Sequence, residues 1–115
     1  MCQSNKRFAV WPLLFATLSG LLLEPAQADD TVAARAKVMT LCQNCHGVDG
    51  VAVLPGAANL SGQQKEYMVA QLRAYRSGNR LDSQMNIVAK LLTDADIENL
   101  ATWYSAIKVS VEMPK

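Results

Sequence analysis

The run CQNCHG, Cys42 to Gly47, sets two cysteines two residues apart directly before the only histidine of the chain. Several chemistries use such a pair, and each makes a different demand on the rest of the sequence. A thioredoxin-like dithiol sits at the start of a helix after a strand, in a βαβ setting. Here the pair follows a helical pattern, and no strand pattern is visible. A structural zinc site needs about four ligands, so a carboxylate such as Asp49 would have to join Cys42, Cys45 and His46 in an uncommon set. A plain disulfide suits an oxidising compartment but leaves His46 without a role. Covalent haem attachment uses all three side chains in this order: each thiol adds to one porphyrin vinyl group and the adjacent imidazole binds the iron. The two-residue spacer lets both vinyls be reached, and the next residue then lies against the metal.

Upstream, MCQSNKRFAVWPLLFATLSGLLLEPAQA has the layout of a secretory signal. Lys6 and Arg7 supply the positive end, Phe8 to Leu23 the apolar run, and Ala26-Gln27-Ala28 a small-x-small cleavage site. The apolar run is interrupted by Pro12 and is shorter than the roughly 20 residues that span a bilayer, which counts against an uncleaved anchor. Residues 1–28 are therefore read as a cleaved signal peptide, residues 29–115 as one domain, and the location as periplasmic. Cys2 precedes the apolar run and leaves with it. The 87 residues that remain of 115 carry nine basic and nine acidic side chains. That balance points away from nucleic-acid binding, and the length is small for a self-sufficient core. A large, flat, apolar cofactor fixed in the middle answers the size problem, because binding to the native state stabilises it.

The patterning after the signal is helical throughout. Asp29 and Asp30 are candidate caps for a first helix over about residues 32–43, with Val38, Leu41, Cys42 and Cys45 at three- and four-residue spacing. From Gly47 to Gly62, turn and breaker residues (Gly47, Gly50, Pro55, Gly56, Asn59, Gly62) predict a long loop. QQKEYMVAQLRAYRSGN predicts a second helix with Met68, Leu72 and Tyr75 on one face, closed by Gly78 or Asn79. After a second loop, MNIVAKLL predicts a helical turn or two. Thr93 and Asp96 form a capping-box pattern ahead of the stripe Ile97, Leu100, Ala101, Tyr104 and Ile107. The fold class is all-α, and two long loops in so small a helical chain call for a functional reason.

If the iron is held by His46, its second axial position decides between electron transfer and gas binding. After the signal the methionines are Met39, Met68, Met85 and Met113. Met39 and Met68 fall inside predicted helices and are assigned to core packing, and Met113 lies at the C-terminus. Met85 ends the polar loop of GNRLDSQMNIVAK, where a thioether can reach the open face of a haem. A methionine-histidine pair raises the potential and leaves no open coordination site, as a one-electron carrier requires.

Taken in order, CQNCHGVDG, NLSGQ, YMVAQLRAYRSGNR, the methionine of MNIVAKL and TDADIENLATWYSAI resemble the class I cytochromes c, in the short bacterial monohaem kind, over nearly all of residues 29–107. The resemblance implies a small fold of three to four helices wrapped around one covalently attached haem c. Its first and last helices would cross, with Ala34 and Val38 facing Trp103 and Tyr104. It implies thioethers at Cys42 and Cys45, iron bonds from His46 and Met85, and Arg80 near a haem propionate. One departure is visible. Where such proteins tend to carry a proline whose carbonyl holds the histidine's free ring nitrogen, this chain has Ala58, with Pro55 three residues earlier, so the carbonyl that orients His46 stays open.

The leading functional reading is a periplasmic one-electron carrier between redox protein partners, not an enzyme, and a monomer or weak dimer with no membrane contact after cleavage. The rivals are the haem subunit of a larger dehydrogenase complex and a gas-binding haem protein. Lys65, Arg73, Arg76 and Arg80 make one side of the second helix basic, read either as a solvated face or as a docking patch for an acidic redox partner.

Overall fold

The computed structural model describes residues 27–115, so the signal-peptide assignment falls almost wholly outside the described residues. Among the described residues six helical pieces follow in order. Helix α1 (Gln27–Lys37) runs through a π-helical turn (Val38–Cys42) into α2 (Gln43–His46), making one rod. The others are α3 (Lys65–Ser77), α4 (Met85–Ala89) and α5 (Asp94–Ser105). Among the described residues there is no strand, and no helix is long and apolar enough to cross a membrane.

The first rod differs from its expectation at both ends. Its helix already includes Gln27, so Asp29 and Asp30 lie inside it instead of capping it. It also continues to His46, so Cys45 and His46 stand on its last turn. Gly47 ends it. Its φ of 71° is left-handed, and a Cβ there would lie 2.5 Å from the Val51 carbonyl oxygen, so only glycine fits.

Helix α5 is the keel. Thr93 Oγ1 accepts the Asp96 amide at 3.1 Å, and the Asp96 carboxylate accepts the Thr93 amide at 2.9 Å, so the capping box closes despite the shorter acid. Ile97, Leu100, Ala101 and Tyr104 are buried, and Ile107 is half-buried. Against this stripe pack Val38 from the first rod, Met68 from α3 and Leu92 from the turn after α4. Ala34 is also buried, which gives α1 a small-residue face where it meets α5. Met39, by contrast, is exposed and not in the core: it lies on the π turn, on a face turned from the α5 stripe that buries Val38. Gly78 closes α3 in the left-handed conformation, as its position predicts.

Ion pairs stitch the helices together at the surface. Lys37 reaches Asp96 at 3.2 Å, and Glu98 receives both Lys65 at 3.7 Å and Arg73 at 3.1 Å. Arg76 pairs with Asp94 and donates to the Leu92 carbonyl at 3.0 Å. Most of the basic side of α3 is therefore matched within the chain to acids of α5.

Candidate functional site

The site starts at the C-terminal end of the first rod. The π turn delivers Cys42 with its thiol half-buried, directed toward the Lys37 carbonyl at 3.8 Å. Burial pushes the Cys42 thiol up to about 11, Tyr104 opposes this as a hydrogen-bond partner, and Cys45 adds to it. Cys42 and Cys45 are not joined in a disulfide, and both are half-buried. The single helical turn from Cys42 to Cys45 keeps the two sulfurs neighbours on one face, and His46 follows at once.

His46 Nδ1 lies 2.7 Å from the Ala58 carbonyl oxygen. A carbonyl only accepts, so Nδ1 carries a proton, and in that neutral tautomer the lone pair is on Nε2. An imidazole held in this way is oriented as a metal ligand is. Ala58 is thus the carbonyl that the sequence left open, and Pro55 is not. Among the described residues no group of three or more His, Cys, Asp or Glu side chains is placed to hold a metal ion, so Asp49 does not complete a zinc set. Its carboxylate instead accepts the Val51 amide at 3.0 Å in a local turn.

Around His46, hydrogen bonds fix the chain on three sides. Tyr104 donates its hydroxyl to the Gly47 carbonyl at 3.1 Å, and Trp103 donates Nε1 to the Val48 carbonyl at 3.3 Å, so α5 holds the backbone directly after the histidine. Burial raises the Tyr104 hydroxyl above the ordinary tyrosine range, and proximity to Cys42 adds to this. The loop over residues 57–62 lies against residues 49–52. Leu60 and Ser61 donate amides to the Gly50 carbonyl at 2.7 and 3.3 Å, Ser61 Oγ donates to the Asp49 carbonyl, and the Ala52 amide donates to Asn59 Oδ1 at 2.8 Å.

Met85 stands on the other long loop, half-buried, at the first position of α4. Asp82 accepts the amides of Gln84 and Met85 at 2.9 and 2.8 Å, and these bonds hold its carboxyl below the usual carboxylate range. Asn86 is the staple. Its amide nitrogen donates to the carbonyls of Tyr75 and Arg80 at 2.6 and 2.8 Å, while its oxygen accepts the Asp82 amide at 2.7 Å. The Arg80 guanidinium lies over the Tyr75 ring, 4.6 Å from its centre, and donates to Gln71.

The sequence pattern named the thiols, the imidazole and the methionine as candidates, and the structure places the first three on one helical turn and Met85 at the start of α4. The pattern did not locate Asn59, Ser61, Asp82 and Asn86, which organise the loops; the only local signal was their turn-forming residue type. The polar tips of Trp103 and Tyr104 were foreseeable in kind, since a buried phenol or indole usually finds a partner.

The residues present fit a covalently bound haem. Two thiols and a tautomer-fixed imidazole stand on one helical turn, and both long loops expose apolar side chains, Val51, Val53 and Leu54 on the first and Leu81 on the second. Comparison with known proteins agrees. The family profile described as Cytochrome c matches residues 31–107. Cytochrome c-554(548) of Halomonas halodenitrificans is 38% identical over 82 residues, which cover 69% of this chain and 98% of that protein. A protein of Thiomonas intermedia named thiosulfate dehydrogenase electron acceptor is 37% identical over 70 residues, covering 60% of this chain and 32% of its own length. Among solved structures, reduced recombinant cytochrome c4 from Pseudomonas stutzeri superposes with a TM-score of 0.62 at 29% identity, covering 72% of this chain and 50% of that one. The chain thus spans nearly all of one relative and half or less of the other two.

Proposed function

Because the chain belongs to the cytochrome c family and holds haem c covalently through Cys42 and Cys45, we propose that it is a periplasmic one-electron carrier whose iron is bound by His46 and Met85. When bound, the haem supplies the one-electron couple of its iron. The chain's own residues do the rest. The Ala58 carbonyl fixes the proton of His46 on Nδ1, which aims Nε2 at the metal and makes it a stronger donor. Asp82 and Asn86 hold the loop that presents the Met85 thioether. Arg80, on the same loop, is assigned to a propionate. The single observation that carries this reading is the 2.7 Å bond between His46 Nδ1 and Ala58, because it sets the tautomer and ring orientation that a metal-ligating imidazole uses.

A carrier needs partners, and the Thiomonas relative's name describes an acceptor of electrons from a dehydrogenase. That supports a soluble or membrane-bound dehydrogenase as electron donor to this chain. The signal-like residues 1–28 support export, and a location where c-type haem is attached follows from it.

The test is the oxidised and reduced absorption spectrum of protein secreted by a host that attaches c-type haem, before and after acid-acetone extraction. Haem that resists extraction, with the weak far-red sulfur-to-iron band in the oxidised form, is expected. Met85→Ala should abolish that band, admit carbon monoxide to the reduced form, and lower the reduction potential by at least the ~59 mV that a tenfold change in relative affinity represents. An unchanged Met85→Ala spectrum would move the ligand to another methionine. Rapid carbon monoxide binding by the unaltered protein would replace the carrier by a gas-binding protein.

A further inference from the structure

The bond that prepares His46 ends on a residue with no means of holding its own position. Ala58 is exposed, its side chain is a single methyl group, and it lacks the ring that would fix φ. Something else must aim its carbonyl. That oxygen belongs to the planar peptide unit joining Ala58 to Asn59, so whatever fixes Asn59 fixes the plane.

Asn59 is fixed by its side chain. Oδ1 accepts the Ala52 amide at 2.8 Å, across the two strands of the loop. Farther on, the bonds from Leu60 and Ser61 to Gly50 hold the same loops together, and the crossing there is too close for any side chain: a Cβ on Gly50 would lie 2.5 Å from the Ser61 amide nitrogen. Those bonds set the distance between the loops, but they lie one and two residues beyond the peptide plane in question. The Asn59 bond is the one adjacent to it.

We propose that Asn59 is a positioning residue for the haem ligand, setting the reduction potential by holding the Ala58 carbonyl on His46 Nδ1. The proposal rests on the assignment of His46 to the iron. Donation from Nδ1–H to the carbonyl increases the basicity of Nε2, and a more basic ligand favours the oxidised iron. Asn59 therefore keeps the potential lower than the histidine-methionine pair alone would set it. Loosening the plane should raise it.

The experiment compares the holoproteins of the wild type, Asn59→Ala and Asn59→Asp. The Asp variant keeps an oxygen acceptor for the Ala52 amide, whereas Ala removes it. In Asn59→Ala the potential should rise, and the His46 Nδ1–H, followed by NMR in the reduced state, should exchange with solvent roughly tenfold faster, in keeping with the loss of one hydrogen bond. In Asn59→Asp the exchange rate should return to the wild-type value. Wild-type potential and exchange in Asn59→Ala would overturn the proposal, as would equal changes in both variants. Should Asn59→Ala yield too little holoprotein, the wild type alone decides: protection of the Ala52 amide and of the His46 ring N–H should fall together as denaturant is added, and independent protection would overturn the coupling. If His46 were not the iron ligand, its ring signals would lack the large ring-current shifts of a haem-bound imidazole in the wild type itself, which separates failure of that assignment from failure of this one.

Discussion

The His46 ring is held by a partner from another segment, and so is the backbone that follows it. Tyr104 is the most exacting case, because its ring is part of the core while its hydroxyl serves the backbone after His46. Removing that hydroxyl leaves the carbonyl of the buried residue Gly47 with only the long 3.4 Å bond from the Gly50 amide. Tyr104→Phe should therefore cost about 1 kcal/mol, the worth of one ordinary hydrogen bond, measured by guanidinium unfolding of the holoprotein, and a loss below about 0.5 kcal/mol would mean that water replaces the bond. At this scale legibility divides by sequence distance. Cys42, Cys45 and His46 were readable because their chemistry lies within five consecutive residues. Met85 was singled out because the other methionines had competing explanations, and for Met39 that explanation fails, since it is exposed. Asn59 and Asn86 were not readable, since their roles exist only once residues 6 to 11 positions away in the chain fold back on them.

Among the elements, α5 combines the best local signal with the largest share of the core. Its capping box was visible in the sequence and closes in the structure, so Thr93→Ala should cost about 1 kcal/mol of stability. Asp96 links this cap to pH. Burial pushes its carboxyl up, but the Thr93 amide and hydroxyl together with Lys37 prevail and hold it below the ordinary range. A group that binds protons more weakly folded than unfolded contributes stability above its unfolded pKa of about 4, and that contribution is lost as pH falls through the lowered folded value. Chemical denaturation between pH 6 and pH 3 should show a declining midpoint, and Asp96→Asn should make the decline shallower. An identical decline in the variant would place the acid sensitivity elsewhere. The first rod was less legible. Its helical character was evident, but the π turn has no spacing signature of its own, because Val38, Leu41, Cys42 and Cys45 also satisfy an unbroken α pattern.

For the whole molecule, the deciding fact is how little lies inside. Among the described residues the buried apolar side chains are largely one stripe of α5 and single contributions from the other helices, and three of the nine are alanines. A core of this kind supplies only a few kcal/mol against chain entropy. A Cys42→Ala, Cys45→Ala chain, which cannot attach the cofactor, should show much reduced helical circular dichroism and a broad thermal transition; native-like ellipticity with sharp unfolding would show that the polypeptide suffices. The basic side of α3 is also clearer at this scale. Lys65, Arg73 and Arg76 are matched by Glu98 and Asp94, so the solvated-face reading describes these residues better than a free docking patch. Such pairs contribute little stability individually, but they lower the charge available to steer a partner. The widened turn before Cys42 acts on the same scale as a phase shift. A π turn holds about one residue more than an α turn, a rotation of roughly 100°. One continuous rod thereby serves two ends: Ala34 and Val38 pack into the interior, Cys42 packs against the same cluster, and the covalent hold on the prosthetic group starts there, with no break in the chain between protein interior and prosthetic group.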